Sequence, residues 1–363
     1  MTWDEVLNAN LDPVPRDLSF GSVPIPSDPA ARHHETGADH LFAHPVNIGD
    51  NDMRRRDFLR AGAAAITVGA AGAENAHAAS PPRDRSAGRN TFTLNYAPNF
   101  GTFRQHGGSE LLDRLRFMHE TGFRALEDNE MRNRPVEVQE SIGREMARLG
   151  MSMGVFVAHS INWREPTLTS GRDEPRDQFL SEIRNAVDVA RRVNATWMTV
   201  VPGHVDLRQE RGFQTAHLVE TLRRAAEILE PHGLVMVLEP LNQWTDHPGM
   251  FLTHAAQAFE ICRAVDSPAC KILFDIYHQQ ITEGNLIPNI ERAWSEIAYI
   301  QIGDNPGRRE PTTGEINYAN IFEHLHRVRN YRGILGMEHG NSRRGLEGEV
   351  AVIEAYRSVD PPA

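Results

Sequence analysis

Residues 91–363 predict a (β/α)8 TIM barrel on three observations: eight short apolar runs, helical patterns between them, and runs apolar almost throughout instead of alternating. The runs are TFTLNYA (91–97), FRALED (123–128), SMGVFVAH (152–159), TWMTVVPG (196–203), LVMVLEP (234–240), KILFDIYH (271–278), IAYIQIGD (297–304) and GILGMEH (333–339). Near-continuous apolarity is what parallel strands need when both faces are covered. In SELLDRLRFMHETG, Ser109 is placed to cap, Leu111, Leu112, Leu115 and Met118 form one stripe, and Gly122 stops the helix. In TAHLVETLRRAAEILEPHG the stripe is Leu218, Leu222, Ala225 and Leu229, ended by Gly233. A doubly wound open sheet usually has fewer strands, and no GxGxxG follows the first run.

The chain has 363 residues, 40% hydrophobic and 24% charged, with a formal net charge of -11. That balance argues against nucleic acid as a partner, because a phosphate backbone asks for a basic face. No run of eighteen uncharged apolar residues is present, so no transmembrane span is expected in the mature chain. Cys262 and Cys270 form no CxxC pattern and read as two buried small hydrophobes, although a disulfide between them stays open. A homo-oligomer is compatible with the sequence, which carries no signal for or against one.

Before the barrel, MRRRDFLRAGAAAITVGAAGAENAHAA begins at Met53. Arg55-Arg56 followed by Asp57-Phe58-Leu59-Arg60 resembles the twin-arginine consensus. A weakly apolar Ala/Gly stretch and the small-x-small triplet Ala76-His77-Ala78 complete the order of an export signal over 53–78. The twin-arginine export machinery is thus an expected partner, and the mature chain is expected to be periplasmic or extracellular. Residues 1–52 carry nine acidic and two basic residues and six prolines without periodicity. They read as a disordered extension, or as an upstream segment of a chain that starts at Met53. Residues 79–90 read as a polar linker, and cleavage after 78 would leave 285 residues of charge about -6.

Barrel enzymes carry their chemistry at the C-terminal ends of the strands. Those ends supply Asn95, Glu127, Asp128, His159, His204, Glu239, Asp275, His278, Gln301, Arg308, Glu338 and His339. Runs five to eight each bring one oxygen ligand: Glu239, Asp275, Gln301 and Glu338, spaced 36, 26 and 37 residues apart. Four neighbouring strands would aim three carboxylates and an amide at one point. Such a cluster is costly to desolvate without a cation. Hard oxygen donors suit Mg2+ or Mn2+. Each residue taken singly also fits a strand-end salt bridge. The stretch QIGDNPGRREPTTGEINY (301–318) would then lie over the metal and project Arg308 toward a bound anion or hydroxyl. The plainer alternative pairs Arg308 with Glu310 or Glu315.

At these residues the chain resembles the hydroxypyruvate isomerase family of the xylose-isomerase-like TIM barrels, in EPLNQWTDHPGMFLT, FDIYHQQITEGNL, IQIGDNPGRREPTTGEINY and the Glu338 run. Ketose 3-epimerases share that frame. The resemblance is dense from about 230 to 340 and weaker before. It implies a divalent metal on Glu239, Asp275, Gln301 and Glu338, and Glu239 and Glu338 as the acid/base pair of an aldose–ketose type isomerase working through a cis-enediolate. It also implies substrate contacts at His278 and Arg308. Gln301 stands where the epimerases usually carry His, which favours the isomerase side. The loops HSINWREPTLTSGRD and PGHVDLRQERG, and HGNSRRGLEGE after Glu338, depart from the family pattern and bear on substrate identity. His159 and His204 are weaker substrate-contact candidates. Trp163 and Trp244 suit either stacking on a sugar or loop packing. The substrate is expected to be a small carbohydrate or keto-acid. Three alternatives stand beside this: an abasic-site endonuclease, a sugar-binding barrel without catalysis, and a ketose 3-epimerase or lyase acting on exported, oxidised glycosides.

Overall fold

In the computed structural model, which describes residues 91–363, each of the eight apolar runs holds one parallel strand. They are β1 (Asn95–Ala97), β2 (Ala125–Leu126), β3 (Ser152–Met153), β4 (Trp197–Val200), β5 (Val235–Leu238), β6 (Cys270–Asp275), β7 (Ile297–Ile302) and β8 (Ile334–Met337). The extension (1–52), export signal (53–78) and linker (79–90) lie outside the described residues. Ladders run in the order β1-β8-β7-β6-β5-β4, with β2 and β3 paired separately. Two further links close the ring. The Glu127 N–H donates to Pro98 O at 3.0 Å, and Val157 bridges Thr199 in parallel.

Seven of the strands, and Val155 just after β3, contribute to the interior. Ala97, Ala125, Val155, Val237, Leu273, Tyr299 and Ile334 form one buried cluster, with Trp197 packed against it. Such inward layers make the barrel a packed core and leave its upper end for chemistry. Around it pack α1 (Leu111–Glu120), α2 (Val136–Leu149), α3 (Asp173–Val193), α4 (Arg211–Leu229), α5 (Ala255–Val265), α6 (Ile276–Thr282), α7 (Leu286–Ala293), α8 (Tyr318–Glu323) and α9 (Gly345–Val359). Leu218, Leu222, Ala225 and Leu229 of α4 are all buried, as their spacing predicts. Ser109 does not cap α1: its hydroxyl donates to the Glu110 carboxylate instead. Cys262 and Cys270 are buried free thiols. No helix among the described residues is long and apolar enough to cross a membrane.

The run KILFDIYH is the main departure. The strand stops at Asp275, whose Oδ1 accepts the backbone N–H groups of Tyr277 (2.7 Å) and His278 (3.2 Å) and so caps α6. His278 is therefore a first-turn helical residue, not a strand-end residue. An apolar run followed by apolar helix residues carries no change of period to mark the boundary.

Candidate metal and proton-transfer site

The strand register brings the four oxygen-bearing side chains together. Asp275 pairs with Gln301 across β6 and β7, and Gln301 pairs with Gly336 across β7 and β8, two residues before Glu338. Leu238 pairs with Ile272, so Glu239 leaves β5 one step above that pair. Glu239, Asp275, Gln301 and Glu338 are 1%, 0%, 1% and 4% exposed. With Glu127 (2%) beneath them, four acids share one buried space.

That crowding shows in their protonation. Burial, then the charges of Glu338 and Asp275, pushes the Glu239 carboxyl well above the usual range. Burial lifts Glu338 to about 7 against the pull of Arg308. Asp275 is raised by burial while Arg308 opposes. Arg308 is the cation set among them: its Nη2 donates to Asp275 Oδ2 at 3.1 Å and to Glu338 Oε2 at 2.8 Å, and its Nε donates to Glu338 O at 3.1 Å. The plainer pairing of Arg308 with Glu310 or Glu315 is not adopted. Glu310 accepts from the Ser342 N–H and hydroxyl, and Glu315 accepts from Asn305 Nδ2. The loop is tied instead by buried Asp304, which accepts the backbone N–H groups of Asn305, Thr313, Gly314 and Ile316.

Three buried polar atoms here have no protein hydrogen-bond partner: Glu239 Oε1, Gln301 Oε1 and His278 Nε2. Unpaired buried polar atoms are expensive, which makes these three candidate contacts for a bound group. The Glu239, Asp275 and His278 ligand atoms lie within 4.8 Å of one another. Distance alone would make His278 a metal ligand, but its hydrogen bonds argue otherwise. Its Nδ1 accepts the Asn242 backbone N–H (3.3 Å) and faces Asn242 Nδ2 at 2.7 Å. Burial, then Arg308, holds the ring neutral, so its one proton sits on Nε2. Nε2 is thus a donor, 3.7 Å from both Glu239 Oε1 and Asp275 Oδ2. The Gln301 amide is oriented the other way. Its Nε2 donates to Glu127 Oε1 at 3.0 Å, leaving Oε1 as the acceptor. Three carboxylates and one amide oxygen are a donor set suited to a hard divalent ion, and the residues present fit one.

A family model described as a xylose isomerase-like TIM barrel matches residues 115–358. The chain belongs to that family.

This xylose isomerase-like barrel is 35% identical over 191 residues to hydroxypyruvate isomerase of Escherichia coli strain K12, covering 52% of this chain and 70% of that protein. It is 35% identical over 168 residues to 2-oxo-tetronate isomerase of Pectobacterium atrosepticum, covering 46% of this chain and 63% of that protein. Among solved structures it is similar to an AP endonuclease of family 2 from Brucella melitensis, at 28% identity and TM-score 0.63 over 72% of this chain and 99% of that one. It is also similar to D-psicose 3-epimerase of Clostridium cellulolyticum H10, at 18% identity and TM-score 0.57 over 73% of this chain and 91% of that one, a likeness of fold alone. With its isomerase relatives, the barrel is an isomerase.

The other predicted residues of this family member fall elsewhere. His159 Nε2 accepts the Val201 N–H at 3.2 Å, and His204 Nδ1 is 3.0 Å from Val205 O. Both line a cavity beside the carboxylates and do not join the cluster. Asp128 is tied to Arg134, and His339 to Tyr356. Residues whose site contacts the sequence did not reveal are Glu127, Asn129 (Nδ2 donating to Glu338 Oε1 at 2.8 Å) and Asn242. Asn242 lies inside the EPLNQW segment that carries the resemblance, which is the signal that could have singled it out.

Proposed function

We propose that this isomerase is divalent-metal-dependent and moves a proton between neighbouring carbons of a small sugar or keto-acid, with hydroxypyruvate as its reference substrate. Glu239, Asp275, Gln301 and Glu338 would hold Mg2+ or Mn2+, which supplies Lewis-acid polarisation of a substrate oxygen when bound. The observation that carries this is the pair of buried, unpartnered oxygens, Glu239 Oε1 and Gln301 Oε1, within a set of acids that share one arginine. Glu239 and Glu338 are the acid/base pair. Without a cation, burial makes both easier to protonate than an exposed glutamate. His278 offers Nε2–H to a substrate oxygen, held in that tautomer by Asn242. Arg308, which reaches Asp275 and Glu338, steadies the negative charge of the substrate or of the carboxylates. We also propose export through the twin-arginine segment at 53–78.

The test uses the full chain, stripped with chelator and reloaded with Mn2+, in D2O with hydroxypyruvate. Metal-dependent deuterium incorporation is expected, falling about 10²–10⁴-fold in Glu239→Gln and in Glu338→Gln. Exchange that survives chelation, or survives both substitutions, overturns the proposal.

A further inference from the structure

Beside the carboxylates lies a cavity of about 930 Å3, lined by the loop after β3, the first turns of α3 and the loop after β5. It is near the upper end of the range of about 300–1,000 Å3 for pockets that engulf drug-sized ligands. A three- or four-carbon acid would fill little of it. The cavity is not remote from the chemistry. Trp163 stacks on His247 at 4.9 Å and 21°, and His247 packs on His278 at 5.4 Å. His278 in turn stands 3.7 Å from Glu239 and Asp275. A row of rings therefore leads from the cavity wall to the reacting centre.

The wall chemistry narrows the occupant. His247 is 8% exposed, lines the cavity, and leaves its Nε2 without a protein partner. The ionisable lining otherwise comprises the acids Glu182 and Asp246, beside Arg164 and His204, with neutral His159. An added carboxylate or phosphate would meet that acidic balance, whereas hydroxyls find acceptors in it. An aromatic face combined with carboxylate and imidazole edges is suited to a ring with apolar faces and a polar rim. Trp163, stacked on His247, is 37% exposed.

We infer that this cavity is a distal subsite for a neutral glycosyl unit, so that the substrate is a glycosylated ketose whose reacting end reaches the carboxylates while its sugar ring rests against Trp163 and His247. The inference rests on the proposed isomerase reading for the position of the reacting end. The loop after β3, which departs from the family pattern, builds much of the cavity wall, and the loop after β4 adds His204.

The experiment compares fructose with maltulose, fructose carrying a glucosyl unit at O4, alongside hydroxypyruvate, on the Mn2+-loaded full chain in D2O. Binding is followed in parallel by saturation-transfer NMR. A kcat/KM for exchange at least 10-fold higher with maltulose than with fructose is expected. Trp163→Ala should bring that ratio toward one through KM, and Gln178→Trp, which fills the cavity from α3, should do the same. Exchange on hydroxypyruvate or fructose with no preference for maltulose would overturn the subsite and leave the isomerase reading standing. No exchange on any substrate, with maltulose binding that Trp163→Ala weakens, would overturn the isomerase reading and leave the subsite standing. Neither exchange nor binding would sink both.

Discussion

Glu127 makes no hydrogen bond to any of the three carboxylates above it, yet it decides which end of the Gln301 amide faces them. Its Oε1 accepts from Gln301 Nε2 and its Oε2 from the Tyr299 hydroxyl at 2.9 Å. If Gln301 Oε1 ligates a metal, Glu127→Gln can present an amide N–H to Gln301 Nε2 and so favour the flipped orientation. Such supporting contacts are worth about 10–100-fold in metal affinity. Mn2+ titration calorimetry should therefore show a loss of that size in Glu127→Gln, and an unchanged affinity would remove Gln301 from the ligand set. Glu239, Asp275, Gln301 and Glu338 could be singled out in the sequence because each follows an apolar run at about the spacing of one strand–helix unit. Glu127 also ends such a run, but its partners lie 172 and 174 positions away, and nothing local announces a contact of that range. Asn129 reaches Glu338 across 209 positions and was equally invisible. The protonated nitrogen of His278 depends on Asn242, another contact that spacing cannot show.

Among elements, β8 shows how closely strand and site are fitted. Gly336 sits level with Gln301, and a Cβ there would lie 1.7 Å from Glu127 Oε2. Gly154, just after β3, stands in the same relation to the Tyr299 hydroxyl, at 2.3 Å. Two missing side chains thus make room for a buried acid and its phenol partner inside the barrel. Gly336→Ala should cost about 1–3 kcal/mol through overpacking, read as a lower urea midpoint at unchanged slope. A loss below about 0.5 kcal/mol would mean that Glu127 moves aside freely, against the fixed role argued for it. All eight strands could be placed from their apolar runs, and most were placed too long. The ladder ends where the chain turns outward, as at Asp275, and the capping aspartate was the available clue.

For the molecule as a whole, the export proposal and the barrel make separable predictions. Replacing Arg55 and Arg56 with lysine should hold the full-length chain in the cytoplasm, while the native chain is recovered shortened in the periplasmic or extracellular fraction. Equal distribution of the two forms would refute export by this route. The barrel domain itself was the most legible level, because a repeating strand–helix rhythm is a property of the whole sequence. The cavity was the least legible, since its wall comes from loops that only the closed barrel brings together.

The closure of that barrel has a temporal side. Asp360 accepts the backbone N–H groups of Thr93 (2.7 Å) and Leu94 (3.1 Å) and the Tyr96 hydroxyl (3.1 Å), while β1 pairs with β8. The segment that holds β1 therefore waits for a partner 267 positions later. At about 5–20 residues per second, that delay is on the order of 10–50 s. Throughout it the nascent chain has a β1 edge that β8 does not yet pair, and Glu338 just after β8 is still missing. The ring of strands therefore cannot close until β8 and Asp360 have both emerged.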